Sequence, residues 1–180
     1  MDLSFSELKD LVFNASLGSN LPAGTGEDLS LAVTFLESRS LPGCKEFLSS
    51  IRCKRHPTVP PQRDNSSLVF SNARAIFEGV SAIDLLVSEV CESVILKNCD
   101  SQILMLGLAS NYRGTSFCFY KNNEMYAGIS DDELILRNQN FKCSKDIEIC
   151  LTQGMSDTPL TKCTRMALNK NSSEALIELA

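Results

Sequence analysis

The hydrophobic period of this chain changes partway along, and the change decides what it can fold into. Up to Arg52 the apolar residues recur at helical intervals, whereas beyond Ser93 they come as short runs bounded by turn residues. Between them, Cys53 to Ser67 carries three of the six prolines and almost no apolar side chain, and so reads as an extended connection. Helices first and strands second predict an α+β fold. It has a three-helix N-terminal segment, then an antiparallel meander of about five or six strands with helices packed on at least one face. The organisation expected is a helical subdomain over residues 1–52, a basic Pro-rich connection over 53–66, and a helical stretch, sheet and final helix over 67–180, all in one folded unit.

Ser4 followed by Glu7 has capping-box spacing, and Phe5, Leu8, Leu11, Val12 and Ala15 then trace a helix over about residues 5–17 until Gly18. Thr25 and Asp28 repeat that signal before Leu29, Ala32, Val33 and Leu36, with Leu31 and Phe35 widening the face, so a second helix is expected over about 26–38. Pro42-Gly43 opens a third, over about 44–52. One or two more are expected between Ser71 and Glu92. Ile103 to Ala109 and Ser116 to Tyr120 read as strands covered on both faces, and Asn122-Asn123 reads as a two-residue hairpin turn. Glu133 to Arg137 and Asp146 to Leu151 extend the strand pattern, and Ser172 or Ser173 caps a last short helix.

Charge limits the partners. Seventeen basic against twenty-two acidic residues give −5 at pH 7, which repels phosphate backbones and anionic lipid, so neither nucleic acid nor membrane is an expected partner. Pro42 to Ala75 holds six basic residues (Lys45, Arg52, Lys54, Arg55, Arg63, Arg74) against Glu46 and Asp64, a balance of +4 that leaves −9 for the remainder. The N-terminus lacks the basic start and apolar stretch of a signal peptide, and a cytoplasmic setting is expected, with the eight cysteines as reduced thiols.

The candidate chemistry is sparse. Gly24-Thr-Gly26 at a helix start would suit an anion, but Glu27 and Asp28 place carboxylates in the same turn, which favours capping and tight helix packing. His56 is the sole histidine and lies in the most loop-like stretch, so nucleophilic mechanisms that need it are disfavoured. The nearest cysteine spacings, Cys143 to Cys150 and Cys91 to Cys99, match no zinc motif, and Asp131-Asp-Glu133 reads as a solvated turn; no metal and no cofactor are expected. In Ser110-Asn-Tyr-Arg-Gly114, Tyr112 and Arg113 combine an aromatic with a planar donor, which suits a ligand carboxylate or a partner chain. Asp84, within an apolar helical stretch, calls for water or a partner such as Arg74.

Leu21-Pro-Ala-Gly-Thr-Gly-Glu-Asp28, Ala32-Val-Thr-Phe-Leu-Glu-Ser-Arg39 and Leu41-Pro-Gly43 together resemble the opening of an uncharacterised bacterial domain-of-unknown-function family, most clearly over the first quarter of the chain. Glu174 to Ala180 resembles the start of that family's last stretch, whose further polar residues are absent here. The resemblance implies a bacterial cytosolic setting, a chain that continues beyond Ala180, and no mechanism. The function expected is a non-catalytic binding or accessory protein that assembles with itself or with a larger protein, through an uncovered sheet face or the +4 segment. The alternative is a binder of, or enzyme acting on, a carboxylate- or phosphate-bearing metabolite, using Tyr112, Arg113, Arg39, Arg74 and Asp84 around a cleft.

Overall fold

The computed structural model describes residues 2–53, 59–130, 133–137, 146–152, 166–167 and 170–180. In chain order the elements are β1 (Asp2–Leu3), α1 (Phe5–Gly18), α2 (Ala23–Glu37), α3 (Gly43–Arg52), β2 (Gln62–Asp64), β3 (Ser67–Ser71), α4 (Glu78–Val87) and β4 (Ser93–Lys97). There follow α5 (Gln102–Ala109), β5 (Ser116–Lys121), β6 (Glu124–Ser130), β7 (Glu133–Leu136), β8 (Ile147–Thr152), β9 (Met166–Ala167) and α6 (Lys170–Leu179). The α+β class holds, with helices first and a seven-stranded sheet ordered β2-β3-β4-β8-β5-β6-β7.

The predicted helix starts and faces are largely present. Ser4 Oγ accepts the Glu7 N–H at 3.2 Å while the Glu7 carboxylate accepts from the Ser4 N–H at 2.8 Å, closing the capping box that opens α1. Leu8, Val12 and Ala15 of α1 and Leu29, Ala32, Val33 and Leu36 of α2 are buried; Leu31 is 42% exposed and does not widen the α2 face. α2 begins three residues earlier than its Thr25 and Asp28 signal implies, because Pro22 can stand directly before a first turn. Gly24 and Gly26 therefore lie inside the helix, where Gly26 packs against Phe13 and Ser16 of α1.

The largest departure is the run Ile103 to Ala109, a helix and not a strand. All eight residues of α5 are buried, so no polar face marks its helical period, and an apolar run of this length fits either element. Its start is fixed locally, with Ser101 Oγ accepting the Leu104 N–H at 3.2 Å. The Pro-rich connection also holds structure, since β2 pairs antiparallel with β3 around Asn65, whose φ is 54°. The meander is broken twice: β3 and β4 run parallel across α4, and β8 leaves sequence order to pair with both β4 and β5. The Asn122-Asn123 turn joins β5 to β6 as predicted, with φ of 49° and 64°. The last helix starts at Lys170 and not near Ser173, and Ala175 and Leu176 are buried in the core.

One face of the sheet carries the core. Leu68 and Phe70, Val94 and Leu96, Ile147 and Ile149, Phe117 and Phe119, Ala127 and Ile129, and Leu134 lie on this inner face and join a single cluster with side chains of α1 to α6. The helical layer is tied to the sheet's loops by polar contacts. Ser50 of α3 donates to Asp100 Oδ2 at 2.5 Å, the Ala75 N–H donates to Asp100 Oδ1 at 2.8 Å, and Ser101 donates to Glu46 at 2.8 Å.

α5 fits against α2 because Gly107 has no side chain; a Cβ there would lie 2.7 Å from the Ala32 carbonyl oxygen and 3.0 Å from its carbon. Gly107→Ala at an exposed helix interior would stabilise by up to about 1 kcal/mol. Here the clash with α2 backbone costs roughly 1–3 kcal/mol. Urea unfolding of the variant should show a lower midpoint, and a raised midpoint would mean that the two helices separate freely.

Candidate functional site

Three elements meet where the α5–β5 loop crosses the helices. Tyr112 packs its ring edge-on against Phe117, with centroids 6.2 Å apart, and is half-buried against the core. Its hydroxyl donates a short hydrogen bond to Asp84 Oδ1 of α4. In the same loop, Asn111 Nδ2 donates to the Asp28 carbonyl oxygen of α2 at 3.0 Å, which fixes the loop against the helical layer. The corner thus holds a phenol and two carboxylates, Asp84 exposed and Asp28 half-buried, with Arg113 exposed beside them in the loop.

The electrostatics follow from this crowding. Burial raises the Asp28 carboxyl above the ordinary carboxylate range, and the negative charges of Asp84 and Glu27 raise it further. Burial pushes the Tyr112 hydroxyl far up, and the hydrogen bond to Asp84 and the charges of Asp84 and Asp28 add to it. Tyr112 is therefore a firmly protonated donor at neutral pH, suited to orienting a group and not to accepting a proton. The potential of the corner favours a cationic or neutral polar group over a carboxylate or phosphate.

Of the five residues singled out in the sequence, Tyr112 and Asp84 meet at this corner, and Arg113 follows Tyr112 in the loop as an exposed side chain. Asp84 is partnered by Tyr112 and not by Arg74. Arg74 stacks on Phe77, 4.4 Å from ring centroid to guanidinium carbon, and donates to the Ser50 carbonyl oxygen at 2.9 Å. Arg39 is buried behind α2, stacked 3.5 Å over Phe35, and donates to the Phe35 carbonyl and to Ser38 Oγ. Both arginines hold backbone in place. Asn111, beside Tyr112 in the loop, and Asp28, from an element 83 residues away, complete the corner; their contact is long-range and leaves no local signal.

Two cations of the +4 segment bond to backbone carbonyls, Arg74 as above and Arg63 beside the sheet. Arg63 donates to the Val90 carbonyl oxygen at 2.8 Å, on an open groove of about 570 Å³ that it lines with Cys91, Glu92 and Leu151. Lys54, Arg55 and His56 lie outside the described residues, as do Asp131, Asp132, Cys143 and Cys163. Among the described residues, no group of three His, Cys, Asp or Glu side chains is placed to hold a metal ion, and no helix is long and apolar enough to cross a membrane.

Residues 3–69 match the model of a family described as a protein of unknown function, DUF3726, which bears out the likeness read from Leu21 to Gly43. The match runs from the end of β1 through β2 into β3. Among curated proteins none matches the chain. Solved structures that resemble it include malate dehydrogenase from Entamoeba histolytica, 14% identical with a TM-score of 0.47 over 66% of this chain and 38% of that one. Another is sulfolactate dehydrogenase from Methanocaldococcus jannaschii, 11% identical with a TM-score of 0.49 over 66% and 40%. The chain spans about two-fifths of the length of either, and a likeness this loose says nothing of its chemistry.

The raised Asp28 carboxyl links stability to pH. Because the folded state holds this proton more tightly than the unfolded state, its contribution is full below the ordinary aspartate pKa and is lost as pH rises through the raised folded value. Asp84→Asn should move the Asp28 titration, followed by carboxyl NMR, partway down, since burial remains. An unchanged titration would show that the two carboxylates do not interact.

Proposed function

We propose that this protein is a non-catalytic binding or accessory protein that works by pairing with a second copy of itself through the outer face of its sheet. The observation that carries the reading is the make-up of that face. Its middle holds Val69, Ile95, Cys150, Cys118, Tyr120, Met125 and Ile135, with Glu148 the one charge among them. None of these side chains belongs to the core cluster that joins the inner face to the helices. Ile95, Tyr120, Met125 and Cys150 are half-buried, while Val69, Cys118 and Ile135 are already buried within the single chain. The margin carries both signs, Lys97 against Asp64 and Glu133.

An apolar middle with a charged margin is the anatomy of a protein interface. Two chains of charge −5 repel at long range. A twofold contact that sets Lys97 of each copy against Asp64 or Glu133 of the other would offset part of that repulsion. A second reading, a small-molecule binder, is favoured by the Tyr112 and Asp84 pair beside exposed Arg113, and its charges suit an amine better than the carboxylate or phosphate expected from sequence.

Size-exclusion chromatography with light scattering at micromolar concentration should give twice the 19.8 kDa chain mass. Ile95→Glu, with its circular dichroism unchanged, should return the mass to a single chain. A monomeric wild-type protein would overturn the reading. A thermal-shift response to an amine in that monomer, lost in Tyr112→Phe, would put the second reading in its place.

A further inference from the structure

Two cysteines face each other on the outer side of the sheet. β5 and β8 are antiparallel neighbours whose register places Cys118 directly opposite Cys150, so both side chains rise from the same face. Directly opposed residues have Cα atoms about 4.5–5.5 Å apart, inside the span that a disulfide bridges. Neither is in a disulfide in the structure. Their exposure differs in a way that sets an order of attack, since Cys118 is 6% exposed and Cys150 is half-buried. Tyr120, next along the same face of β5, lies close enough to Cys118 to feel it through a hydrogen bond, and Glu148 and Cys91 border Cys150.

We propose that Cys118 and Cys150 form a thiol pair that closes to an intrachain disulfide on exchange with a low-molecular-weight disulfide. The accessible Cys150 thiolate attacks one sulfur of the small disulfide, breaks its S–S bond and expels one small thiolate. The Cys118 thiolate then attacks the Cys150 sulfur of the mixed disulfide and expels the second. The two protein thiols are oxidised by two electrons in all. The small disulfide is reduced to two thiols, which take up the two protons the cysteines release. Cys118 cannot begin the exchange, because burial keeps it from the external disulfide, but its neighbour brings the reacting sulfur to it. Two copies paired through this face would cover Cys150, so the exchange belongs to the single chain, and the Ile95→Glu chain tests it apart from that pairing.

The closed bond would tie β8 to β5. That junction joins the β2-β3-β4 half of the sheet to the β5-β6-β7 half, so oxidation would lock the two halves together. Burial, with Glu148, Cys118 and Cys91 nearby, pushes the Cys150 thiol up to about 11, which makes the exchange slow at neutral pH.

The test uses the full chain carrying Ile95→Glu, so that no second copy covers Cys150, at pH 9 with oxidised glutathione, followed by intact mass and peptide mapping without reduction. The expected product is a single chain with Cys118 joined to Cys150 and the mass of two hydrogens lost at that pair. Its thermal midpoint should lie roughly 5 °C or more above the reduced form. Cys118→Ser should stop at one glutathionyl group on Cys150, Cys150→Ser should leave Cys118 unmodified, and Cys91→Ser should still form the bond. A lasting glutathionyl group on Cys150 with Cys118 intact, a bond from Cys150 to any other cysteine, or a linked pair of chains would overturn the proposal. So would an unreacted Cys150 beside a modified Cys53, which is half-buried and serves as the internal control.

Discussion

The sheet is one sheet because β8 lies in its middle. β4 and β5 do not pair with each other; each pairs with β8, which arrives from the far end of the strand region. Ile147 and Ile149 of β8 are fully buried between Val94 and Leu96 on one side and Phe119 on the other, so the same strand that supplies the hydrogen-bond ladder also makes the inner face continuous. Without it, β3 and β4 with α4 would be one apolar surface and the β5-β6-β7 meander another, each presenting large side chains to water. Burying such side chains is worth roughly 1.5–3 kcal/mol apiece, so the cost of withdrawing β8 far exceeds that of any polar contact in the molecule.

The helical layer depends on that continuity. α5, buried on every side, is the element that α2 and the sheet share, and it tolerates this position because Gly107 lets its backbone approach that of α2. From its end the chain turns through Asn111 and Tyr112, and the loop is held on one side by the Asp28 carbonyl and on the other by the Asp84 carboxylate. The polar corner is thus a product of packing: the loop has to pass between α2 and α4, and there partial withdrawal from water, with the charge of Asp84 added to it, raises the proton affinity of the Asp28 carboxyl.

Much of this was legible in the sequence where the signal is local. The capping box at Ser4 and Glu7, the buried stripes of α1 and α2, and the Asn122-Asn123 turn each depend on residues within a few positions of one another. α5 reads as a strand in the sequence because helix and strand look alike in a fully apolar run, and the Ser101 cap is a weak signal beside the seven residues Ile103 to Ala109. β3, β4 and β8 are unreadable as partners because register is a long-range property: nothing near Ile149 says that it will lie between Val94 and Phe119. The same holds for the corner. Tyr112 and Asp84 stood out separately, one as an aromatic in a turn and one as a charge in an apolar helix, but their contact and the presence of Asp28 come from tertiary packing.

The claim that β8 joins the two halves of the sheet is tested most directly by native-state hydrogen exchange of its amides. If β8 is the seam, Ile147, Ile149 and Cys150 exchange only with global unfolding, with the same free energy and the same denaturant dependence as the amides of β4 and β5. Exchange of β8 by a smaller local opening, while β4 and β5 stay protected, would show that the two halves hold together without it and would contradict the account.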